Sequence, residues 1–326
     1  MVLAILGIDM AKDSYQVSLR HHDDKRANHT FRNRAEDFGK LEDWLVKHRV
    51  PQVHACLEAT GRYWEELALS LHQAGHVVSV VNPMRIHSYA QSRLARNKTD
   101  KLDAQLIADF CATQQPAPWT PPPPEVRELQ ALERHLETLQ NMRVQEHNRL
   151  TSAVPSAQVR KMLQEHLAFI DQQITELKEQ IRQHIDEHPD LRHQRDLLVT
   201  IPGIAETTAA KLLGENIQAF SKERALAAYA GLSPQQRESG TSVHRKARLC
   251  KVGNSNLRKA LYFPAICAKT HNPLIKAFCA RLEQREKHSM VVIGAAMRKL
   301  LCLALGVLKS GIPFDPNYAA NVQLTS

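Results

Sequence analysis

Six prolines fall between Gln114 and Pro124, four of them consecutive at Pro121–Pro124. Four prolines in a row can be neither helix nor central strand, because each lacks a backbone N–H and holds φ in the extended range. They make a stiff extended linker over residues 116–124. The parts on either side must then find their own cores, and a chain of 326 residues is long enough for two or three.

Upstream, residues 1–115 alternate strand-like and helix-like segments. Leu3–Ile8 is a continuous apolar run, Ser14–Leu19 a candidate partner strand and His29–Arg32 a weaker third. A helical stretch follows from Ala35 to Lys47, then a second buried-strand run at Val53–Leu57. Tyr63–Gln73 is helical, Gly75 ends it, and Val77–Val81 is β-branched. Three strands, helix, strand, helix, strand, helix is the order of ribonuclease-H-like α/β nucleases.

Downstream, residues 125–192 read as helical. Leu129, Leu132, Leu136 and Leu139 follow 3-4-3 spacing, Ile170, Ile174, Leu177 and Ile181 follow 4-3-4, and Pro155 separates them. This predicts an antiparallel hairpin or coiled-coil arm suited to dimerisation, although a plain helical bundle meets the same pattern. Residues 193–326 read as mainly α, apart from a basic, Gly/Ser-rich stretch between Pro234 and Asn256.

Charge is divided unevenly. Residues 1–115 carry 15 Lys/Arg against 14 Asp/Glu, residues 125–196 carry 10 against 13, and residues 197–326 carry 18 against 7. A basic excess confined to the last part favours a polyanion, most commonly nucleic acid, over a merely solvated surface. The six cysteines are scattered without a C-x-x-C pair, which argues against a zinc site or disulfide framework and fits a reducing cytoplasm. The short apolar start Val2–Ile8 runs straight into Asp9, so no signal peptide is expected. Met290–Leu308 is the most hydrophobic segment, but Arg298 and Lys299 near its centre favour a buried helix over a membrane span.

The chemistry is expected in four carboxylates. Asp9 directly follows the first apolar strand run and Glu58 the second, so in a parallel pair both emerge at the same sheet end. Asp100 and Asp103, three apart at the start of a probable helix, face one side. Four carboxylates in one place repel one another unless a hard divalent cation relieves them, and two such cations can clamp the reacting oxygens of a phosphodiester. Each has a structural alternative, Asp100 as a helix cap and Glu58 as an ordinary strand-end acid. Asp13, at the start of the next strand, is a weaker competitor.

In the last region, Leu197–Ile204 followed by Ala205–Leu213 reads as helix, tight Pro-Gly turn, helix. This is similar to a helix-hairpin-helix, with Gly203 permitting close approach to a phosphate. A purely structural turn would use the same residues. Arg237, Arg245, Lys246, Arg248, Lys251, Arg258 and Lys259 stand against one acid, Glu238, with glycines and serines interleaved. A flexible backbone carrying seven cations suits phosphate contacts. Ser239, close to Arg237 and followed by Gly240, is a candidate nucleophile toward phosphorus, or else a turn residue.

Several ordered segments together resemble the DEDD-type insertion-sequence transposases, the bridge-RNA-guided recombinases. They are Gly7-Ile8-Asp9 with Ala11-Lys12, Leu57-Glu58-Ala59-Thr60-Gly61, and Asn97-Lys98-Thr99-Asp100-Lys101-Leu102-Asp103-Ala104. Further along stand Ile201-Pro202-Gly203-Ile204, Tyr229-Ala230-Gly231-Leu232-Ser233-Pro234, Glu238-Ser239-Gly240 and Leu257-Arg258-Lys259-Ala260-Leu261-Tyr262. The resemblance spans nearly the whole chain with no departure at these positions. It implies a RuvC-like catalytic domain (1–115), a coiled-coil region (125–192) and a transposase domain (193–326). It assigns Mg²⁺, with Mn²⁺ as substitute, to Asp9, Glu58, Asp100 and Asp103, and the nucleophile to Ser239. It also implies a noncoding bridge RNA pairing with double-stranded donor and target DNA, homodimers assembling into a tetramer, and work at the bacterial nucleoid. A Holliday-junction-resolving nuclease that uses water needs the same carboxylates without the serine. A non-catalytic nucleic-acid binder needs neither.

Overall fold

The computed structural model describes residues 3–93, 99–152, 156–239 and 243–317, with the backbone alone over 236–239 and 243–247. It divides into two compact units, 1–121 and 122–326.

The first unit is a five-stranded mixed sheet with helices. β1 (Ala4–Met10), β2 (Ser14–Arg20) and β3 (Arg26–Arg32) form an antiparallel meander. A 3-10 turn (Ala35–Asp37) leads into α1 (Phe38–Lys47). β4 (Val53–Glu58), α2 (Glu65–Gln73), β5 (Val77–Val81), α3 (Pro83–Ser92) and α4 (Asp100–Gln114) complete it. The sheet order is β3-β2-β1-β4-β5, with β4 parallel to β1 and β5 parallel to β4. This mixed α/β arrangement is compatible with a ribonuclease-H-like domain. The apolar runs of β1 and β4 are central strands, and Leu6, Ile8, Ala55 and Leu57 are fully buried in them, as continuous apolar character requires.

One glycine sets how closely a helix covers this sheet. A Cβ at Gly7 would stand 2.2 Å from the Ala104 carbonyl oxygen and 2.3 Å from the Ala108 nitrogen. Only a residue without a side chain lets the α4 backbone lie on β1 there. The proline-rich stretch carries neither helix nor strand from Pro116 to Pro123. Pro124, expected in the linker, instead opens the following helix, where a missing N–H costs nothing. The first part of the stretch belongs to this unit. Ser79 Oγ donates to the carbonyls of Pro116 and Ala117, at 3.0 and 2.9 Å, and the Trp119 amide donates to Val78 at 2.6 Å. Trp119 also meets Trp64 edge to face.

The second unit is helical around one long hairpin. α5 (Pro124–Thr151) and α6 (Ala157–Glu187) run antiparallel, as the His184–Glu125 hydrogen bond and the Arg143–Asp171 ion pair require. The leucine and isoleucine stripes read from the sequence are the buried seam: Leu129, Leu136, Leu139, Ile170, Ile174, Leu177 and Ile181. α7 (Pro189–Val199), α8 (Glu206–Gly214), a 3-10 turn (Ile217–Ala219) and α9 (Glu223–Tyr229) follow. Next come β6 (Pro234–Ser239) and β7 (Val243–Leu249), then α10 (Ser255–Ala260), α11 (Tyr262–His271), α12 (Pro273–Gln284) and α13 (Ser289–Ser310).

The basic stretch expected to be flexible is thus an antiparallel ribbon, Arg237 opposite Arg245 and Ser239 opposite Val243. Its strands hide in sequence because they carry few apolar residues and pair only with each other. α13 is long and apolar enough by composition to span a bilayer. Val292, Ala296, Leu300, Leu301, Ala304 and Leu305 are nevertheless fully buried in the unit's core.

Candidate functional site

The β1–β4 register aligns Ile8 with Leu57, so Asp9 and Glu58 continue it side by side at the same strand end. Both follow a buried stretch and emerge half-exposed, where the strands leave the core. Gly7 and Asp9, two apart, share the sheet face on which α4 lies. The close approach at Gly7 sets the start of that helix, which carries Asp100 and Asp103. Its cap is Thr99, whose Oγ1 accepts from the Leu102 amide at 3.3 Å. Asp100 therefore lies in the first turn and is not the cap.

All four carboxylates line a single open groove of about 980 Å³. Glu58 is oriented by its neighbour, the Thr60 hydroxyl donating to Oε1 at 2.8 Å. Asn33 ties together the loops beyond both strands, its Nδ2 donating to Ala11 and Tyr63 carbonyls at 3.1 Å each. Among the described residues, no three His, Cys, Asp or Glu side chains are gathered closely enough to ligate one ion as they stand. In kind, four carboxylates on one groove are the oxygen donors a hard divalent cation requires.

The groove also holds residues that sequence reading missed. Asp109 accepts from Arg26 Nη2 at 2.6 Å and Arg20 Nη1 at 3.3 Å, and Arg26, Asp109 and His87 line the same walls. These come from three elements with no common periodicity, so nothing in the one-dimensional pattern joins them.

In the second unit the expected phosphate contacts separate. Arg248 and Lys251 are exposed. Lys259 is paired with Glu137 at 3.3 Å. Arg258 is half-buried and donates through Nη1 to the carbonyls of Ala230, at 2.9 Å, and Asn254, at 3.4 Å. It thereby ties α10 to the end of α9. The side chains of Arg237, Ser239, Arg245 and Lys246 lie outside the described residues. The helix-turn-helix around Gly203 is present as α7 and α8, with Gly203 at φ +106°. A Cβ there would come within 2.7 Å of Ala268 Cβ and 2.9 Å of the Pro264 carbonyl oxygen. Close packing on α11 is what demands the glycine.

Residues 6–159 match a family model described as a transposase, that of the DEDD-type IS110 group. Residues 195–280 match the model of the transposase IS116/IS110/IS902 family. The chain is 36% identical over 316 residues to the pilin gene-inverting protein of Moraxella bovis, spanning 95% of this chain and 97% of that protein. The corresponding protein of Moraxella lacunata is 35% identical over the same shares. An uncharacterised 43.6 kDa protein of insertion element IS110 from Streptomyces coelicolor is 28% identical over 164 residues, 49% of this chain and 39% of that one. With both halves matched and two relatives aligned almost end to end, the chain belongs to the IS110 family of DEDD-type transposases.

Proposed function

We propose that this chain is a DNA recombinase that cuts and rejoins strands without releasing free ends, using two separate sets of residues. Asp9, Glu58, Asp100 and Asp103 would hold Mg²⁺ or Mn²⁺. The observation that carries this reading is that these four carboxylates, from β1, β4 and α4, line one groove. When bound, the metal supplies Lewis acidity at the phosphoryl oxygens and the departing 3′ oxygen.

Ser239 is the proposed nucleophile. Its Oγ attacks phosphorus, the P–O3′ bond breaks, and the serine proton ends on the departing 3′ oxygen. The resulting 5′-phosphoserine keeps one phosphodiester's worth of bond energy. Attack by another 3′ hydroxyl rejoins the strand and restores the serine. Gene inversion, the activity for which the two Moraxella relatives are named, conserves the number of phosphodiester bonds and suits such an intermediate. Arg248 and Lys251 on the exposed surface, with Arg237, Arg245 and Lys246, are proposed to contact phosphates.

Guidance by a noncoding bridge RNA that pairs with donor and target DNA completes the reading. So does assembly of dimers into a tetramer at the nucleoid. Dimerisation is supported by apolar side chains left exposed on the hairpin, Met142 and Val144 on α5, Val159, Met162 and Phe169 on α6.

The test is a pair of variants assayed with cognate DNA and RNA. Asp9→Asn should lower cleavage by about a thousandfold or more with DNA binding nearly unchanged. Ser239→Ala should abolish the covalent protein–DNA adduct and strand exchange. Undiminished cleavage in the first would remove the metal role. Strand exchange persisting in the second would leave a nuclease that uses water.

A further inference from the structure

The groove that holds the four carboxylates continues away from them between α4 and the edge strand β3. Asp9 pairs with Gln16 and Gln16 with Thr30, so these three cross the sheet in one row. Gln16 and Thr30 both line the groove, and the Thr30 hydroxyl donates to the Gln16 side-chain oxygen. Two residues from Thr30, on the same face, Asn28 accepts from Gln105 Nε2 of α4 at 3.3 Å. Two further on, Arg26 donates to Asp109 at 2.6 Å. Gln105 and Asp109, one helical turn apart, share one flank of α4. Between Thr30 and Arg26 the strand advances about 13 Å.

The far end of this lane is cationic. Asp109 also accepts from Arg20 Nη1 at 3.3 Å, and Arg93 Nη1 lies 4.0 Å from its other oxygen. Three guanidinium groups, from β2, β3 and the end of α3, thus meet one carboxylate. Arg20 Nε donates to a second acid, the exposed Asp24, at 2.6 Å. Three arginines against two acids leave one positive charge. A single pair would tie α4 to the sheet, whereas gathering three like charges costs repulsion that a bound anion relieves. A carboxylate offers about four lone-pair sites and three guanidinium groups about fifteen N–H donors, so many remain for another acceptor. The side chains of Arg26 and Arg93 are 29% and 53% exposed, within reach of such a ligand.

That ligand must be an anion rich in acceptor oxygens, and long enough to span from the arginines to the carboxylates. Gln16, Thr30, Asn28 and Gln105 between them are uncharged, so the lane does not repel a polyanion crossing it. A phosphodiester backbone meets each condition. A stacked strand advances about 3.4 Å per nucleotide, which makes the lane about four nucleotides long.

We propose that the DNA strand cut at the carboxylates runs along this lane, and that Arg20, Arg26 and Arg93, gathered by Asp109, grip one of its phosphates about four nucleotides from the cut. The position of the cut rests on the proposed metal site; the grip rests on the arginines alone.

Methylphosphonate interference on cognate DNA tests the grip. Each phosphate within about one helical turn of the cut is replaced in turn by the neutral analogue. Binding is measured for the parent, Arg26→Gln and Arg93→Gln. The parent should lose about tenfold at one or two adjacent positions about four nucleotides from the cut, as for a lost hydrogen bond to a charged group. Arg26→Gln should lose about tenfold on unmodified DNA and nothing more at those positions, with losses elsewhere additive. Arg26→Lys, which keeps the charge without the planar fork, should recover part of the affinity. Arg93→Gln, at a helix end, should show the same coupling and serves where Arg26→Gln unfolds. Additive losses at every position would show arginines that only hold α4 to the sheet, and would overturn the proposal. So would affinity lost for RNA alone with DNA binding unchanged. Full cleavage by Asp9→Asn alongside intact coupling would refute the metal site and leave the phosphate grip standing.

Discussion

The two units carry acidic side chains under opposite conditions. In the groove of the first unit, four carboxylates share one wall-lined space and none is fully buried. In the second unit Glu133 is nine-tenths buried beside a small cavity that Glu137 and Glu215 also line. Grouped, half-exposed oxygens suit a small, hard, highly charged ligand, because several donors must reach it at once. A carboxylate taken out of water without donors is instead driven toward its neutral form. The residue type is the same, and the number and burial of its neighbours decide the chemistry.

Gly7→Ala strikes at the first arrangement with the largest effect expected on stability. The new methyl meets helix backbone at 2.2 and 2.3 Å, so α4 must lift off β1. Overpacking against backbone should cost about 3 kcal/mol in a urea titration. Cleavage should fall as well, since α4 carries Asp100 and Asp103. An unchanged midpoint would show that the close approach does not set the helix position.

Glu133→Gln should act in the other direction. With its carboxyl at about 7 in the fold against an ordinary 4.5, the folded chain binds the extra proton more tightly than the unfolded chain. That contribution is fully present below pH 4.5 and is lost as pH rises through 7. Lys211, Lys259, Arg134, Glu137 and Glu215 line the same cavity, and their charges are unaltered by the substitution. The variant should match the parent near pH 4 and be more stable by about 3 kcal/mol at pH 8. A constant difference across that range would mean the buried carboxyl does not titrate.

The smallest effects separate the cations. Arg258→Ala should destabilise the second unit by about 2 kcal/mol, through loss of its hydrogen bonds to Ala230 and Asn254. Arg248→Ala and Lys251→Ala should leave stability unchanged. Each should reduce the slope of log binding constant against log salt by about 1 if it neutralises one DNA phosphate. The reverse pattern would exchange the structural and binding roles.

Much of this was readable in one dimension because it depends on local pattern. Leu3–Ile8 is a continuous apolar run and Val53–Leu57 is broken only by His54. That pattern suits strands covered on both faces, and so their ends located Asp9 and Glu58. The leucine and isoleucine stripes of α5 and α6 are periodic, so the hairpin was legible too. The ribbon of β6 and β7 was hidden: a strand made of Gln, Arg, Glu, His and Lys has neither alternation nor an apolar run. Arg258 looked like any basic residue, since its partners are carbonyl groups, which no residue identity encodes.

By itself, then, the sequence determined the break at the prolines, the apolar strands, the helical stripes and the positions of four candidate acids, all consequences of backbone restriction and hydrophobic period. The tertiary structure alone decided that Gly7 admits α4 to the sheet and that the four acids line one groove. It alone tied Arg258 to backbone and left Glu133 enclosed beside a cavity. Those outcomes depend on which distant atoms come within a few ångströms, and distance in space is the one quantity a linear order of residues does not carry.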